Sequence, residues 1–187
     1  MKLSRGSLHP TDVDAASLTM PQALTAAADV RLDYVRSLYE EHGSRVASLL
    51  RRLTWAGCDV EDLLQEVFMV AIVRAGDLAG VRSPRAWLFG VAAKVAGRAR
   101  SRRQLRSFFG LLEEDVPAHD ARLEALQLVH RSLEALSAKK RDVLVLFELE
   151  GLTGPEIAEA LGIPLKTVWT RLHHARRELE AEVSRHG

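Results

Sequence analysis

The sequence predicts an all-α protein, built as two small helical domains joined by a flexible linker. Apolar residues recur at spacings of three and four along most of the 187 residues, and no alternating apolar run is long enough for a strand. Charge is also segregated, because residues 30–106 carry 14 Lys or Arg against 8 Asp or Glu, whereas residues 107–163 carry 5 against 11. The last 24 residues return to 5 against 3. Two separate regions therefore favour a polyanionic partner.

The N-terminal residues 1–28 predict a disordered tail. They mix Ser, Thr, Pro, Ala and Asp without a sustained period, apart from a stretch, PQALTAAADV, that allows a frayed helix. No apolar segment follows the basic start, and no part of the chain approaches ~18 uninterrupted apolar residues. We therefore expect no signal peptide, no membrane insertion and a cytoplasmic location. The single cysteine, Cys58, excludes an internal disulfide and a cysteine-rich zinc site.

Residues 29–106 predict a domain of three helices. The first helix follows directly from the apolar periodicity. Asp59 suits the N-cap of the second helix, with Asp62 in its first turn, where a carboxylate meets the positive end of the helix dipole. Ser83 and Pro84 suit the N-cap and the first position of the third helix. The second helix carries an apolar set wide enough to be buried, formed by Leu63, Leu64, Val67, Phe68, Ala71 and Ile72.

The third helix ends in a strongly basic stretch that includes Arg98, Arg100, Arg102, Arg103 and Arg106 and contains no acid. Beyond it, residues 107–121 hold Gly, Pro and an acidic triplet without a continuous period, which predicts the linker. Residues 122–187 predict the second domain. Its first two helices are amphipathic, with apolar positions Leu123, Leu126, Val129 and Leu133 in one and Val143, Leu144, Phe147 and Leu149 in the other.

The end of the second domain predicts a helix-turn-helix. Thr153 followed by Glu156 fits a capping box, and the short helix that it opens stops at Gly162. A new helix starts near Pro164. In a helical projection Val168, Leu172, Ala175 and Leu179 form a narrow buried stripe, and the opposite face is basic. The N-terminal part of such a second helix enters the DNA major groove.

The candidate DNA contacts of this helix are Lys166, Thr167, Trp169, Thr170, Arg171, His173, His174 and Arg177. A basic face is also what any solvated helix can show, so the preceding helix and turn carry the DNA interpretation. Trp169 lies to one side of the apolar stripe, which leaves partial burial and DNA contact as open alternatives. His173 and His174 point about 100° apart and lack the i, i+4 spacing of helical zinc sites, so we expect no metal and no cofactor.

Three stretches together resemble bacterial RNA polymerase sigma factors of the extracytoplasmic-function (ECF) group. They are DVEDLLQEVFMVAI, PRAWLFGVAAKVAGRARSRR and LEGLTGPEIAEALGIPLKTVWTRLHHARREL. The resemblance covers about residues 32–105 and 122–183, in the order of the family's regions two and four. It implies a protein with two helical DNA-reading domains, without catalysis, that gives core RNA polymerase its choice of promoter.

The resemblance also implies roles for individual residues. The acidic segment that docks on the clamp helices of the largest polymerase subunit corresponds to Asp59, Glu61, Asp62, Gln65 and Glu66; for Asp59, helix capping is the stronger interpretation. The residues near minus-ten DNA correspond to Arg82, Arg85, Lys94, Arg98 and Arg102. The helix-turn-helix would read the minus-thirty-five element and its domain would meet the flap of the second-largest subunit, while an anti-sigma factor is a candidate further partner.

This sequence departs from the usual pattern of the group at Lys94, Arg98, Lys166, Trp169 and His174, so the resemblance does not imply which promoter bases are read. One interpretation of Trp87 and Phe89 is that their rings stack on unpaired bases, but we do not assign them this role. The main alternative function is a stand-alone helix-turn-helix regulator, which gives the acidic segment and the arginine-rich helix no role. The sequence contains no phosphate loop, metal-ligand cluster or nucleophile elbow, so we do not expect an enzyme.

Overall fold

The computed structural model describes residues 20–55, 57–78, 80–109, 132–133 and 135–186. Every regular element in these ranges is helical, which confirms the predicted fold class. The first helix, α1 (Met20–Leu53), begins inside residues 1–28 and includes the stretch PQALTAAADV, for which the sequence allowed a frayed helix. Its first turns contain the alanine-rich stretch of residues 23–28, and alanine has the highest helix propensity. Residues 1–19 lie outside the described residues.

Helix α2 (Val60–Val73) starts at the predicted N-cap, since the Asp59 side chain accepts a hydrogen bond from the Asp62 amide. Five of the six apolar residues predicted for its buried face are in the core. Ile72 is the exception at 40% exposure, because it lies on the rim of that face. The short helix α3 (Ala75–Leu78) is an additional element that was not among the three helices predicted for this domain.

Helix α4 (Pro84–Phe108) has the predicted N-cap, where the Ser83 hydroxyl accepts a hydrogen bond from the Ala86 amide. The helix continues to Phe108, so the first two residues of the predicted linker are helical. The rest of that linker, and most of the helix predicted around Leu126, lie outside the described residues.

The C-terminal part of the chain contains α5 (Ala138–Leu144), which continues as a π-helical turn (Val145–Leu149), then α6 (Gly154–Leu161) and α7 (Leu165–His186). The predicted capping box of α6 is confirmed, with reciprocal hydrogen bonds between Thr153 and Glu156. Gly162 ends α6 with φ +68°, a left-handed conformation that glycine adopts without steric cost. Helix α6, the turn at Gly162 and helix α7 therefore form the predicted helix-turn-helix.

Two groups of helices pack together. We call α1–α4 the N-terminal helices and α5–α7 the C-terminal helices. Within the first group α1 packs against α2 and α4; within the second α7 packs against α5 and α6. The groups meet mainly where α6 lies against α4, and one continuous set of buried apolar residues includes members of both. The predicted domain limits at residues 106 and 122 stay a prediction.

Candidate nucleic-acid and polymerase interfaces

The acidic start of α2 is exposed on the surface of the N-terminal helices. Glu61, Asp62 and Gln65 are exposed, and Glu66 is half-buried. Their position follows from the helix itself, because the apolar side of α2 packs in the core and turns the polar side outward. The carboxylate of Asp59 is occupied by its capping hydrogen bond, which is 3.1 Å long, so the capping interpretation of Asp59 is confirmed.

Glu66 connects the acidic segment to the basic helix. Its Oε1 accepts a hydrogen bond of 2.6 Å from Nη2 of Arg98, and its Oε2 lies 3.5 Å from Nη2 of Arg102. Two residues predicted to lie near minus-ten DNA are thus paired with a residue predicted to bind polymerase. The two predicted sites form one continuous surface across α2 and α4.

The loop before α4 and the first turns of that helix face the C-terminal helices. Arg82, which is 86% exposed, pairs with Glu159 of α6 at 2.8 Å. Arg85 is half-buried and donates a hydrogen bond of 3.3 Å to the carbonyl oxygen of Glu150. Lys94 is exposed and lines a cleft of about 310 Å³ between α4 and α6, together with Arg82 and the half-buried Trp87.

Phe89 is fully buried in the core, so the interpretation of this residue as a stacking platform is wrong. It lies three residues from Ala86 and from Ala92, which are buried on the same face of α4. The Arg85 guanidinium lies 5.7 Å from the centre of its ring. The aromatic side chain therefore supports Arg85 from inside the fold.

Helix α7 shows the predicted division into a buried and an exposed side. Val168, Leu172 and Ala175 are buried, and Leu179 packs against the core from a half-buried position. Six of the predicted DNA contacts are exposed: Lys166, Trp169, Thr170, His173, His174 and Arg177. Thr167 and Arg171 are half-buried. The exposed side of α7 is thus the side predicted from the sequence, apart from these two residues.

Trp169 is partly buried, which is one of the two alternatives that its sequence position leaves open. The residue is 46% exposed, yet its ring packs edge-to-face on Phe147 with the ring centres 5.7 Å apart. It also covers Gly154, where an added Cβ would lie 2.5 Å from the ring atom Cζ2. One side of the indole is therefore held by the domain while the rest faces solvent.

Arg171 is half-buried, and its positive charge acts on the carboxyl of Asp142 in α5. Burial raises the pKa of the Asp142 carboxyl, and the positive charges of Arg100, Arg141 and Arg171 oppose that rise. Arg100 of α4 contacts both oxygens of Asp142, at 2.9 and 3.2 Å. Asp142 and its partners carry no local sequence signal, because the pair joins residues on opposite sides of the predicted linker.

The two adjacent histidines lie with their rings 5.7 Å apart. Within the described ranges, no three His, Cys, Asp or Glu side chains gather in a way that could hold a metal ion. Likewise, none of the helices described is long and apolar enough to span a bilayer. The candidate interfaces in the described residues are therefore the charged and aromatic surfaces given above.

Two protein-family models match parts of the sequence. Sigma-70 region 2 matches residues 38–106, and Sigma-70, region 4 matches residues 126–179. The chain is 35% identical over 164 residues to the ECF RNA polymerase sigma factor SigL of Mycobacterium tuberculosis, covering 82% of this chain and 90% of SigL. It is 32% identical over 140 residues to the ferric citrate uptake sigma factor FecI of Escherichia coli, covering 71% and 80%.

The chain belongs to the extracytoplasmic-function group of sigma factors. Its fold agrees with that of CnrH in complex with the cytosolic domain of CnrY, with a TM-score of 0.66 and 29% identity over 87% of this chain and 96% of CnrH. A sigma factor, RpoE of Bartonella quintana, in complex with the anti-sigma factor NepR shares the fold with a TM-score of 0.67 at 23% identity.

This sigma factor binds core RNA polymerase and promoter DNA and directs transcription initiation at a stress- or signal-responsive set of promoters. The resemblance seen in the sequence is confirmed. The region 2 match covers α1 from Leu38 onward, α2, α3, and α4 as far as Arg106. These are the helices for which a stand-alone helix-turn-helix regulator would have no use.

Proposed function

We propose that this sigma factor uses three surfaces to bind polymerase and the two promoter elements. The exposed start of α2 docks on the clamp helices of the largest polymerase subunit, the basic side of α4 and its preceding loop holds minus-ten DNA, and α7 reads the minus-thirty-five element. The domain of α7 also meets the flap of the second-largest subunit. The protein acts in the cytoplasm, where its polymerase is, and has no catalytic activity of its own.

Polymerase docking is assigned to Glu61, Asp62, Gln65 and Glu66. The observation that supports it is that three carboxylates and the Gln65 amide lie on the outer side of a helix whose other side is buried in the core. Asp62 is the most informative member, because Glu66 is already paired with Arg98 and Arg102. A substitution at Asp62 changes the docking surface and leaves that internal pair intact.

For minus-ten DNA we propose phosphate contacts by Arg82, Arg85, Lys94, Arg98 and Arg102. Arginine and lysine neutralise backbone charge whatever the base sequence, so these residues position the duplex. For the minus-thirty-five element we propose major-groove contacts from the exposed side of α7, made by Lys166, Trp169, Thr170, His173, His174 and Arg177. Thr167 and Arg171 are assigned to the edge of that surface, because both are half-buried.

A regulator of the anti-sigma type is also proposed as a partner. The relative CnrH was solved with the cytosolic domain of CnrY bound. The support is the level of likeness between CnrH and this chain, 29% identity over 96% of CnrH. Binding by such a protein would compete with polymerase for the same sigma factor.

The docking role is tested by Asp62→Arg in the full chain. We expect loss of start-site-specific run-off transcription and failure to compete with the unchanged protein for core polymerase. Binding of the free chain to a minus-thirty-five duplex should survive, because Asp62 is on α2. The matched control is Glu40→Arg, which makes the same charge change at an exposed position of α1. If Asp62→Arg competes normally for core, the docking assignment is wrong.

A further inference from the structure

The arginine-rich end of α4 has two sides, and the proposed promoter contacts use only one of them. Arg98 and Arg102 are one turn apart, and both pair with Glu66 of α2. Arg100 and Arg103 lie on the opposite side of the helix, because successive residues of an α-helix are turned by about 100°. Neither residue has a role in the polymerase or promoter contacts that we propose. This second side of α4 is therefore unassigned.

The second side of α4 lines an open cleft of about 590 Å³, to which residues just after α1 and in α5 also contribute. This volume is typical of small-molecule sites, which have about 300–1,000 Å³. Among the described residues that line the cleft, three are arginines, Arg100, Arg103 and Arg141, and none is acidic. A concave site lined by one sign of charge favours a ligand of the opposite sign. The cleft therefore suits an anion.

Arg103 is a cation of this cleft that is available to a ligand. The Arg100 guanidinium is already engaged, because it contacts both oxygens of Asp142, at 2.9 and 3.2 Å. Arg141 is buried and donates a hydrogen bond of 2.8 Å to the carbonyl oxygen of Leu133. The side chain of Arg103, in contrast, forms no ion pair or hydrogen bond within the described residues. Its guanidinium presents several N–H donors in a fork that matches phosphate oxygens.

Aromatic rings line the cleft beside these cations. Trp55 is half-buried, and Cζ of Arg103 lies 4.7 Å from the centre of its ring. A cation–π contact of this kind holds the guanidinium through its charge and needs none of its N–H groups. Phe108 lines the same cleft from the last turn of α4 and is 83% exposed. Since an exposed ring can stack on a planar base, the cleft combines a cation that suits phosphate with a ring that suits a nucleobase.

We propose that this cleft binds a nucleotide that carries two or more phosphates. Arg103, held by Trp55, contacts the phosphates, and the ring of Phe108 stacks on the base. Gln104 and Ser107 are exposed on the same side of α4 and supply hydrogen-bonding groups for the sugar or the base. The nucleotide site does not depend on the proposed promoter roles, because none of these residues has one.

The phosphate contact is tested by isothermal titration calorimetry of the full chain with ATP and with inorganic triphosphate, both without Mg²⁺. Arg103→Ala should weaken the binding of both ligands by at least about tenfold. The matched control is Arg106→Ala, which removes the same charge from an exposed position of α4 that does not line the cleft. It should change neither affinity by more than about twofold. Equal losses in the two variants would indicate general attraction to a basic helix and would overturn the proposal.

The stacking contact is tested by Phe108→Leu, with Phe109→Leu as its matched control. Both rings are exposed, at 83% and 63%, but only Phe108 lines the cleft, so neither change should impair folding as judged by circular dichroism. Phe108→Leu should weaken ATP binding by at least about fivefold and leave triphosphate binding unchanged, whereas Phe109→Leu should change neither. Equal effects of the two variants on ATP would contradict the stacking contact.

The unchanged chain provides the remaining outcome. If it binds neither ATP nor triphosphate, the nucleotide site is wrong. If, in addition, Arg103→Ala weakens the binding of random duplex, Arg103 is a contact to the DNA backbone instead.

Discussion

The two helices assigned to DNA differ in how far their cations are already engaged. On α7 most of the predicted contacts are exposed, and the buried stripe on the opposite side fixes the helix. On α4 and its loop, Arg82, Arg85, Arg98 and Arg102 each meet an acid or a carbonyl oxygen of the same chain. In the roles that we propose, recognition of the minus-thirty-five element would require little rearrangement, whereas minus-ten binding would require the exchange of internal partners for phosphates.

This difference has an energetic consequence for promoter binding. An arginine that leaves an exposed carboxylate loses at most about 1 kcal/mol, because water and salt screen such pairs. A phosphate contact replaces that interaction and also releases counterions. Region 4 should therefore set the affinity of the free protein for a duplex, and the contribution of region 2 should grow once its internal pairs are displaced.

The largest effect is expected from a substitution that disturbs the packing of α7 and leaves α4 unchanged. In Gly154→Ala the new Cβ would lie 2.5 Å from Cζ2 of Trp169, whose ring is also held by Phe147. Overpacking of this kind costs about 1–3 kcal/mol. We expect that loss in the free energy of unfolding by urea, together with loss of minus-thirty-five binding.

The control for this prediction is the same change in a Trp169→Ala background. If the clash causes the loss, removing the ring should relieve most of it, and the two substitutions will be strongly non-additive. Additive costs would mean that Gly154 matters for another reason. The stability measurement does not depend on whether Trp169 contacts DNA.

Features set by neighbouring residues in the chain were predictable from the sequence. The caps formed by Asp59, Ser83 and Thr153 are confirmed, because each depends on a hydrogen bond to an amide three residues away. The buried stripe of α7 is confirmed for a similar reason, since helical periodicity alone determines which residues share a face. The all-α fold class followed from the same periodicity.

Contacts between distant segments were not predictable. Arg100 is recognisable in the sequence as one of five clustered arginines, but its partner Asp142 is 42 positions away and beyond the linker. The pairing of Glu66 with Arg98 joins two sites that the sequence presents as separate. The start of α1 near Met20 was indicated only as a frayed helix, because the segment lacks a sustained apolar period although its alanines favour a helix.

A second prediction concerns the ion pairs that engage the arginines of α4. Glu66→Gln removes the carboxylate that pairs with Arg98 and Arg102 while keeping the shape of the side chain. The two arginines become available, so binding of the free chain to random duplex at low salt should strengthen about two- to fivefold. The measurement is fluorescence anisotropy with labelled duplex, without polymerase.

Glu61→Gln is the matched control, since it removes the same charge from the same helix at an exposed residue that has no ion pair among the described residues. A smaller gain is expected from the change in net charge alone. If both substitutions strengthen binding equally, the internal pairs of Glu66 do not limit access to the arginines. The proposed exchange of partners on α4 would then be wrong.

The smallest expected effect concerns the cap that orients the helix-turn-helix. Hydrogen bonds from the Thr153 amide and hydroxyl lower the pKa of Glu156 below its ordinary value of 4.5. Because the folded-state pKa is lowered, this carboxylate stabilises the fold fully above pH 4.5, and its contribution disappears as the pH falls through the lowered pKa. Asp142 and Glu150 have the opposite sign, since burial raises the pKa of both.

Glu156→Gln separates these opposing contributions. Glutamine can still accept the capping hydrogen bond, so the free energy of unfolding at pH 7 should fall by only about 0.3 kcal/mol, the charge contribution at an exposed helix N-terminus. The titrations of Asp142 and Glu150 occur in both proteins and cancel in the difference. The gap between the two urea stabilities should therefore close as the pH falls below 4.5, whereas a gap that stays constant would assign the loss to packing and not to the ionised cap.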